Sequence, residues 1–91
     1  MLVARRYRLR GRVQGVGFRF FTERAALGEG LHGWVRNAPD GTVEIEAEGE
    51  ADAMARFEAH IRVGPPHARV EGLEATALAP HGRTTGFMTR G

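Results

Sequence analysis

Near the start of this chain the hydrophobic period changes from two to about 3.6 across a short glycine-rich stretch, which dictates a strand, a tight loop and a helix in succession. On the strand side, residues 3–13 alternate. Val3, Arg5, Tyr7, Leu9, Gly11 and Val13 share one parity, and Arg6, Arg8, Arg10 and Arg12 share the other. Period two puts the sets on opposite faces, one largely apolar and one cationic. On the helix side, residues 18–27 carry Phe18, Phe21 and Ala25 at i, i+3 and i+7, a narrow apolar stripe with Glu23 and Arg24 toward water. Gly28 and Gly30 stop that helix. The join is Gly11-Arg12-Val13-Gln14-Gly15-Val16-Gly17-Phe18-Arg19. Glycine admits positive φ and close approach to the main chain, so successive amides can converge on one oxyanion, and a helix starting at Phe18 adds its unpaired N–H groups. Arg19 contributes a full charge and a planar fork suited to phosphate or carboxylate. On the local pattern alone, an anion cradle and an ordinary strand-to-helix turn both stay open.

The remaining chain supplies more strands and a second helix. Residues 31–37 set Leu31, Gly33 and Val35 against His32, Trp34 and Arg36. Pro39-Asp40-Gly41 is a turn, and residues 42–49 alternate Val43, Ile45 and Ala47 with Glu44, Glu46 and Glu48, which makes a hairpin. The glutamates lie side by side on one strand without convergence from other elements, so they read as a solvated row opposing the arginine ladder, not as a cation cage. Residues 51–63 form a helix with Met54, Phe57 and Ile61 inward, ended by Gly64-Pro65-Pro66. Residues 68–79 are extended, with Gly72 marking a bulge, and after a turn at Pro80-His81-Gly82 residues 85–90 offer a short extra strand. The order β-α-β-β-α-β predicts an α+β sandwich in which an antiparallel sheet carries both helices on one face. Right-handed crossovers bring the first and third strands together at its centre, where Arg8 or Arg10 faces Glu44 or Glu46.

Composition removes several classes of chemistry. At 91 residues and 42% hydrophobic content the chain reads as a single globular domain, residues 1–91. It has no apolar run near the ~18 residues of a membrane span and no signal-peptide profile, so a cytoplasmic protein is the expectation. The net charge is +2 and every basic residue is arginine. Neither cysteine nor serine occurs, Asp40 and Asp52 are the only aspartates, and His32, His60, His67 and His81 are scattered over different elements. Nucleophilic catalysis and metal ligation therefore lack parts. A reaction that needs only positioning and charge remains. Hydrolysis of a carboxyl phosphate fits, because its carboxylate leaving group, of pKa about 4, departs without a general acid and the loose phosphoryl transition state needs mainly anion stabilisation and an oriented water. Arg19 and the amides of residues 14–19 would hold the phosphate, and the Asn37 carboxamide would align the water.

Two stretches resemble the signatures of the acylphosphatase family: the segment from Gly11 to Arg19, and Gly33-Trp34-Val35-Arg36-Asn37 continuing to Asp40-Gly41-Thr42-Val43-Glu44. Gly64-Pro65-Pro66-His67-Ala68-Arg69-Val70 is similar to the segment after that family's second helix, so the resemblance spans nearly the whole chain. It implies a ferredoxin-like sandwich and metal-free, cofactor-free hydrolysis of acyl phosphates. Carried to the matching positions, it makes Arg19 and Asn37 catalytic, Gln14, Gly15, Val16, Gly17, Phe18 and Arg19 the phosphate-binding loop, and Thr42 a supporting residue. The substrate's own phosphate is expected to accept the proton. Ala38 stands where some relatives have a hydroxyl residue, and Glu29 where many are apolar.

The expected partners are a small acyl phosphate and competing anions such as inorganic phosphate, on a monomer with no membrane attachment. A nucleic-acid module of the same architecture needs exposed aromatics on its central strands, and only Tyr7 is present there, on the apolar parity. A carbamoyl-phosphate-hydrolysing module or an anion sensor that binds without turnover is a third possibility.

Overall fold

The computed structural model describes residues 1–91 in full, as β1 (Leu2–Arg12), α1 (Phe18–Gly28), β2 (His32–Asn37), β3 (Val43–Glu50), α2 (Ala51–Val63), β4 (Arg69–Leu78) and β5 (Phe87–Arg90). The sheet order is β4-β1-β3-β2-β5. β1 pairs antiparallel with both β3 and β4, and β2 pairs antiparallel with β3, which puts the first and third strands at the centre as expected. β5 pairs parallel with β2. The antiparallel expectation thus holds for the first four strands, and the fifth makes the sheet mixed. The reason is directional: β4 ends at the same end of the sheet as the start of β2, so a strand entered from that end at the far edge runs alongside β2 in its own direction. At Arg10/Gly11 the β1–β4 register shifts, leaving Glu71 unpaired next to Gly72, the residue expected to mark a bulge.

One apolar cluster fills the space between the sheet and its two helices, with Tyr7, Leu9, Val35 and Ile45 meeting Phe18, Met54, Phe57 and Ile61. In α2 the inward residues are those its period predicts. In α1 the buried line is Phe18, Thr22 and Ala26, with Phe21 and Ala25 only half-buried beside it. The sequence pattern missed Thr22 because a hydroxyl counts as polar. Its Oγ1 donates to the Phe18 carbonyl at 2.8 Å, so the group is satisfied inside its own helix and the residue can be buried. Glu29 is equally accommodated: its Oε1 accepts from Arg56 Nε at 2.8 Å and links the two helices.

The opposite face of the sheet carries the charges, in a different state from the solvated row expected. Arg8 faces Glu44 and Arg6 faces Glu46 across the β1–β3 ladder. Glu44 and Glu48 are almost fully buried, at 4% and 1% exposure. Glu44 accepts from Arg36 on one oxygen, at 2.7 Å from Nε, and from Arg8 on the other at 2.9 Å. The Arg36 hydrogen bond is the main cause holding the Glu44 carboxyl below its ordinary value. Glu48 is covered by the chain between β4 and β5. The backbone amides of His81, Gly82 and Arg83 all donate to its carboxylate, and these bonds, that of His81 foremost, hold its pKa down.

Candidate active site

β1, β2 and β5 all point the same way, because β1 and β2 are each antiparallel to β3 and β5 is parallel to β2. Their C-terminal ends therefore meet at one end of the sheet. β1 delivers the glycine loop there, β2 delivers Asn37, and β5 delivers Thr89 and Arg90. Between them lies a cleft of about 470 Å³ lined by Val13, Gly15, Gly17, Phe18, Arg19, Phe20, Glu23, Asn37 and Thr89. This is the size range of small-ligand sites.

The loop is built to leave its amides unused. Gly15 and Gly17 take φ of +71° and +80°, left-handed values that turn the chain from strand to helix in a few residues. Gly17 is the N-cap of α1, with no side-chain cap and no acidic residue in the first turn. The first backbone bond of the helix runs from the Phe21 amide to the Gly17 carbonyl at 3.0 Å, and no amide from Gln14 to Phe20 donates to a protein acceptor. A bend of free N–H groups leading into a positive helix end has the geometry to receive an anion on backbone alone.

Arg19 lies half-buried in the first turn of α1. Its Nη1 donates to the Arg90 carbonyl at 3.1 Å, so β5 holds the guanidinium in place without neutralising it. No carboxylate lies within 4.0 Å of it, whereas Arg5, Arg6, Arg8, Arg36 and Arg83 all have acidic partners. The Asn37 side chain, half-buried at the end of β2, makes no hydrogen bond to the protein, so both ends of its carboxamide face the cleft uncommitted.

The structure thus brings Gly15, Gly17, Phe18, Arg19 and Asn37 around one cavity. Gln14 does not line it. Its Nε2 donates to the Ala38 and Thr42 carbonyls at 2.8 and 3.0 Å, clamping the glycine loop to the β2–β3 turn and so fixing Asn37 against the loop. Val16 points away, into a neighbouring groove. Thr42 is outside the cleft too. Its Oγ1 donates to Asp40 Oδ1 at 2.7 Å and closes the turn, and this hydroxyl bond is the leading reason that the Asp40 carboxyl is held low. Ala38 is buried, with its backbone amide donating to the Thr42 carbonyl at 2.8 Å. Sequence reasoning missed Phe20, Glu23 and Thr89. Thr89 Oγ1 donates to Glu23 Oε2 at 2.8 Å across the cleft wall, a contact that exists only because β5 pairs beside β2 and that no local pattern announces. No three His, Asp or Glu side chains converge as a metal site would require.

With this geometry in hand, the comparisons with known proteins are specific. The sequence pattern of the acylphosphatase family matches residues 5–89. The acylphosphatase of Koribacter versatilis is 44% identical over 87 residues, which cover 96% of this chain and 79% of that one. That of Methylococcus capsulatus is 51% identical over 85% of this chain and 84% of its own. The crystal structure of acylphosphatase from Bacillus subtilis superposes with a TM-score of 0.93 at 38% identity, covering 99% of each chain. A match that begins within β1, ends within β5 and includes the whole cleft places this chain in the acylphosphatase family.

Proposed function

We propose that this cleft hydrolyses the carboxyl–phosphate bond of acyl phosphates, with the glycine loop and Arg19 holding the phosphoryl group and Asn37 holding the attacking water. The observation that carries the proposal is the meeting, in one cavity, of the unpartnered amides of Gly15, Gly17, Phe18, Arg19 and Phe20, a guanidinium with no carboxylate beside it and a free carboxamide. Membership of the acylphosphatase family supports the reaction class.

The chemistry follows from charge. Phosphoryl oxygens accept from the loop amides and from the Arg19 fork, and these donors gain most as negative charge spreads over the oxygens in the transition state. Their positions are fixed beforehand, by α1 for the amides and by the Arg90 carbonyl for Arg19. The Asn37 carboxamide orients water for in-line attack on phosphorus. The water oxygen bonds to phosphorus as the bond to the acyl oxygen breaks, and the electron pair leaves with the carboxylate. The water's proton passes to a phosphate oxygen, so no protein base is called on. In this reading residues 1–91 act as one cytoplasmic, monomeric domain, and inorganic phosphate competes with substrate. Gel filtration checks the monomer.

The test is hydrolysis of benzoyl phosphate in a chelating buffer. Turnover at full rate is expected. Loss of activity with chelator and recovery with a divalent metal would overturn the mechanism, and phosphate binding without turnover would make the cleft a sensor. Arg19→Ala is expected to lose both rate and phosphate inhibition. Asn37→Ala is expected to lose kcat by 10²-fold or more, on the order of one transition-state hydrogen bond, while keeping phosphate inhibition. Equal loss of phosphate binding in both variants would take the water-orienting role from Asn37.

A further inference from the structure

A second cavity adjoins the cleft, and its lining is of the opposite character. It is a groove of about 540 Å³ between α1 and the Gly64-Pro65-Pro66 turn, with Phe21 and Ala25 along the helix, Pro65 and Pro66 across from them and Val16 at the loop end. Only Arg24 and His60 bring charge or polarity to its side chains. Gly17 and Phe20 line both the groove and the cleft. The two cavities therefore border one another at residues of the loop and first helical turn that are read above as holding the phosphoryl group. Gly17 has open space where a side chain would stand, with nothing within 4 Å of a built Cβ, so no side chain rises from the border at that point. Phe20 is 64% exposed, a large apolar side chain on the boundary with one face under the Arg24 guanidinium at 5.6 Å. Nothing in the fold requires an exposed phenylalanine there.

We propose that this groove binds the acyl part of the substrate, and that the enzyme selects acyl phosphates with apolar acyl groups, aliphatic chains or aromatic rings, over acetyl phosphate. The inference rests on the acyl-phosphate reading above and adds the substrate class to it. With the phosphoryl group on the loop amides, the acyl group leaves the cleft past Gly17 and Phe20, and the surface it meets is hydrocarbon. Burial of each methylene stabilises the bound transition state, and the expected gain is about threefold in kcat/KM per methylene while the chain remains in the groove.

The experiment measures kcat/KM for acetyl, butyryl and hexanoyl phosphate in chelating buffer, with inorganic phosphate as a competitive inhibitor. A rise of about tenfold from acetyl to butyryl, continuing to hexanoyl, supports the proposal. Ala25→Trp fills the groove from a half-buried position on α1 and is expected to flatten the series to less than twofold overall, with phosphate inhibition retained as proof that fold and cleft are intact. A flat series in the unaltered protein overturns the proposal while leaving the hydrolase reading in place. Absence of turnover with every member overturns both. Sedimentation showing a dimer that Ala25→Trp dissociates would assign the groove to a second copy of the chain, and would also overturn it.

Discussion

At φ +146°, with the Glu46 carbonyl standing where a Cβ would be built, Gly33 lies against the β3 backbone more closely than any side chain permits. Gly33→Ala is expected to force β2 off β3 and to destabilise by on the order of 3 kcal/mol, a drop in Tm of more than about 10 °C, read by thermal unfolding. Gly15 and Gly17 differ in that nothing surrounds their missing side chains, so only backbone strain opposes substitution there. Tyr7 presents the opposite case. Its ring is fully buried against Phe57, at 6.1 Å between centroids, while its hydroxyl has no hydrogen-bond partner, and burial pushes its pKa up to about 12. An unpaired buried hydroxyl contributes nothing that a hydrogen would not, so Tyr7→Phe is expected to leave Tm unchanged or raise it. A fall of more than a few degrees would reveal a bond to the neighbouring Arg5–Glu58 pair.

The elements show what a one-dimensional pattern carries. β1, β3 and α2 were legible because each has one apolar face, and packing that face against the core imprints its own period on the residue types. The glycine loop was legible because its left-handed turns demand glycines, and Arg19 and Asn37 because one opens a periodic segment after that loop and the other closes one before a turn. The burial of Glu44 and Glu48 was not, since alternation says which face a residue takes and not what later chain covers that face. The cover is residues 81–83, which seal Glu48, and Arg36, which closes over Glu44. A consequence for acid stability follows. Both carboxyls bind a proton more weakly folded than unfolded, so their stabilisation is complete above the ordinary value of 4.5 and is lost as pH falls below it toward the folded values. Glu48→Gln is expected to lower Tm at pH 7 and to flatten its decline between pH 4.5 and pH 3. A parallel downward shift with unchanged slope would remove Glu48 from the acid transition.

Across the whole molecule, the proposed binding site and the charge compensation occupy different regions. The open face of the sheet pairs Arg6, Arg8, Arg36 and Arg83 with glutamates, while Arg19 at the end of the sheet has no carboxylate partner. Raising ionic strength is therefore expected to weaken phosphate inhibition, through screening of Arg19, more than it changes Tm. Inhibition constants and melting curves over the same salt series check this separation.

The Arg19–Arg90 bond joins residues 71 positions apart, and it also sets an order in time. Residues 13–23 and 37 are in the chain early, yet the wall formed by Thr89 and the carbonyl that aims Arg19 exist only once β5 has docked beside β2. Long-range pairings of this kind form late, because the loop that precedes them must close first. The chain's one tryptophan, Trp34, records that step, since the Arg90 guanidinium comes to rest 4.7 Å from its ring centroid. If Arg19 acts as proposed, a nascent or refolding chain is expected to be inert toward substrate until its last strand is in place, with activity returning in refolding experiments together with the final change in Trp34 fluorescence.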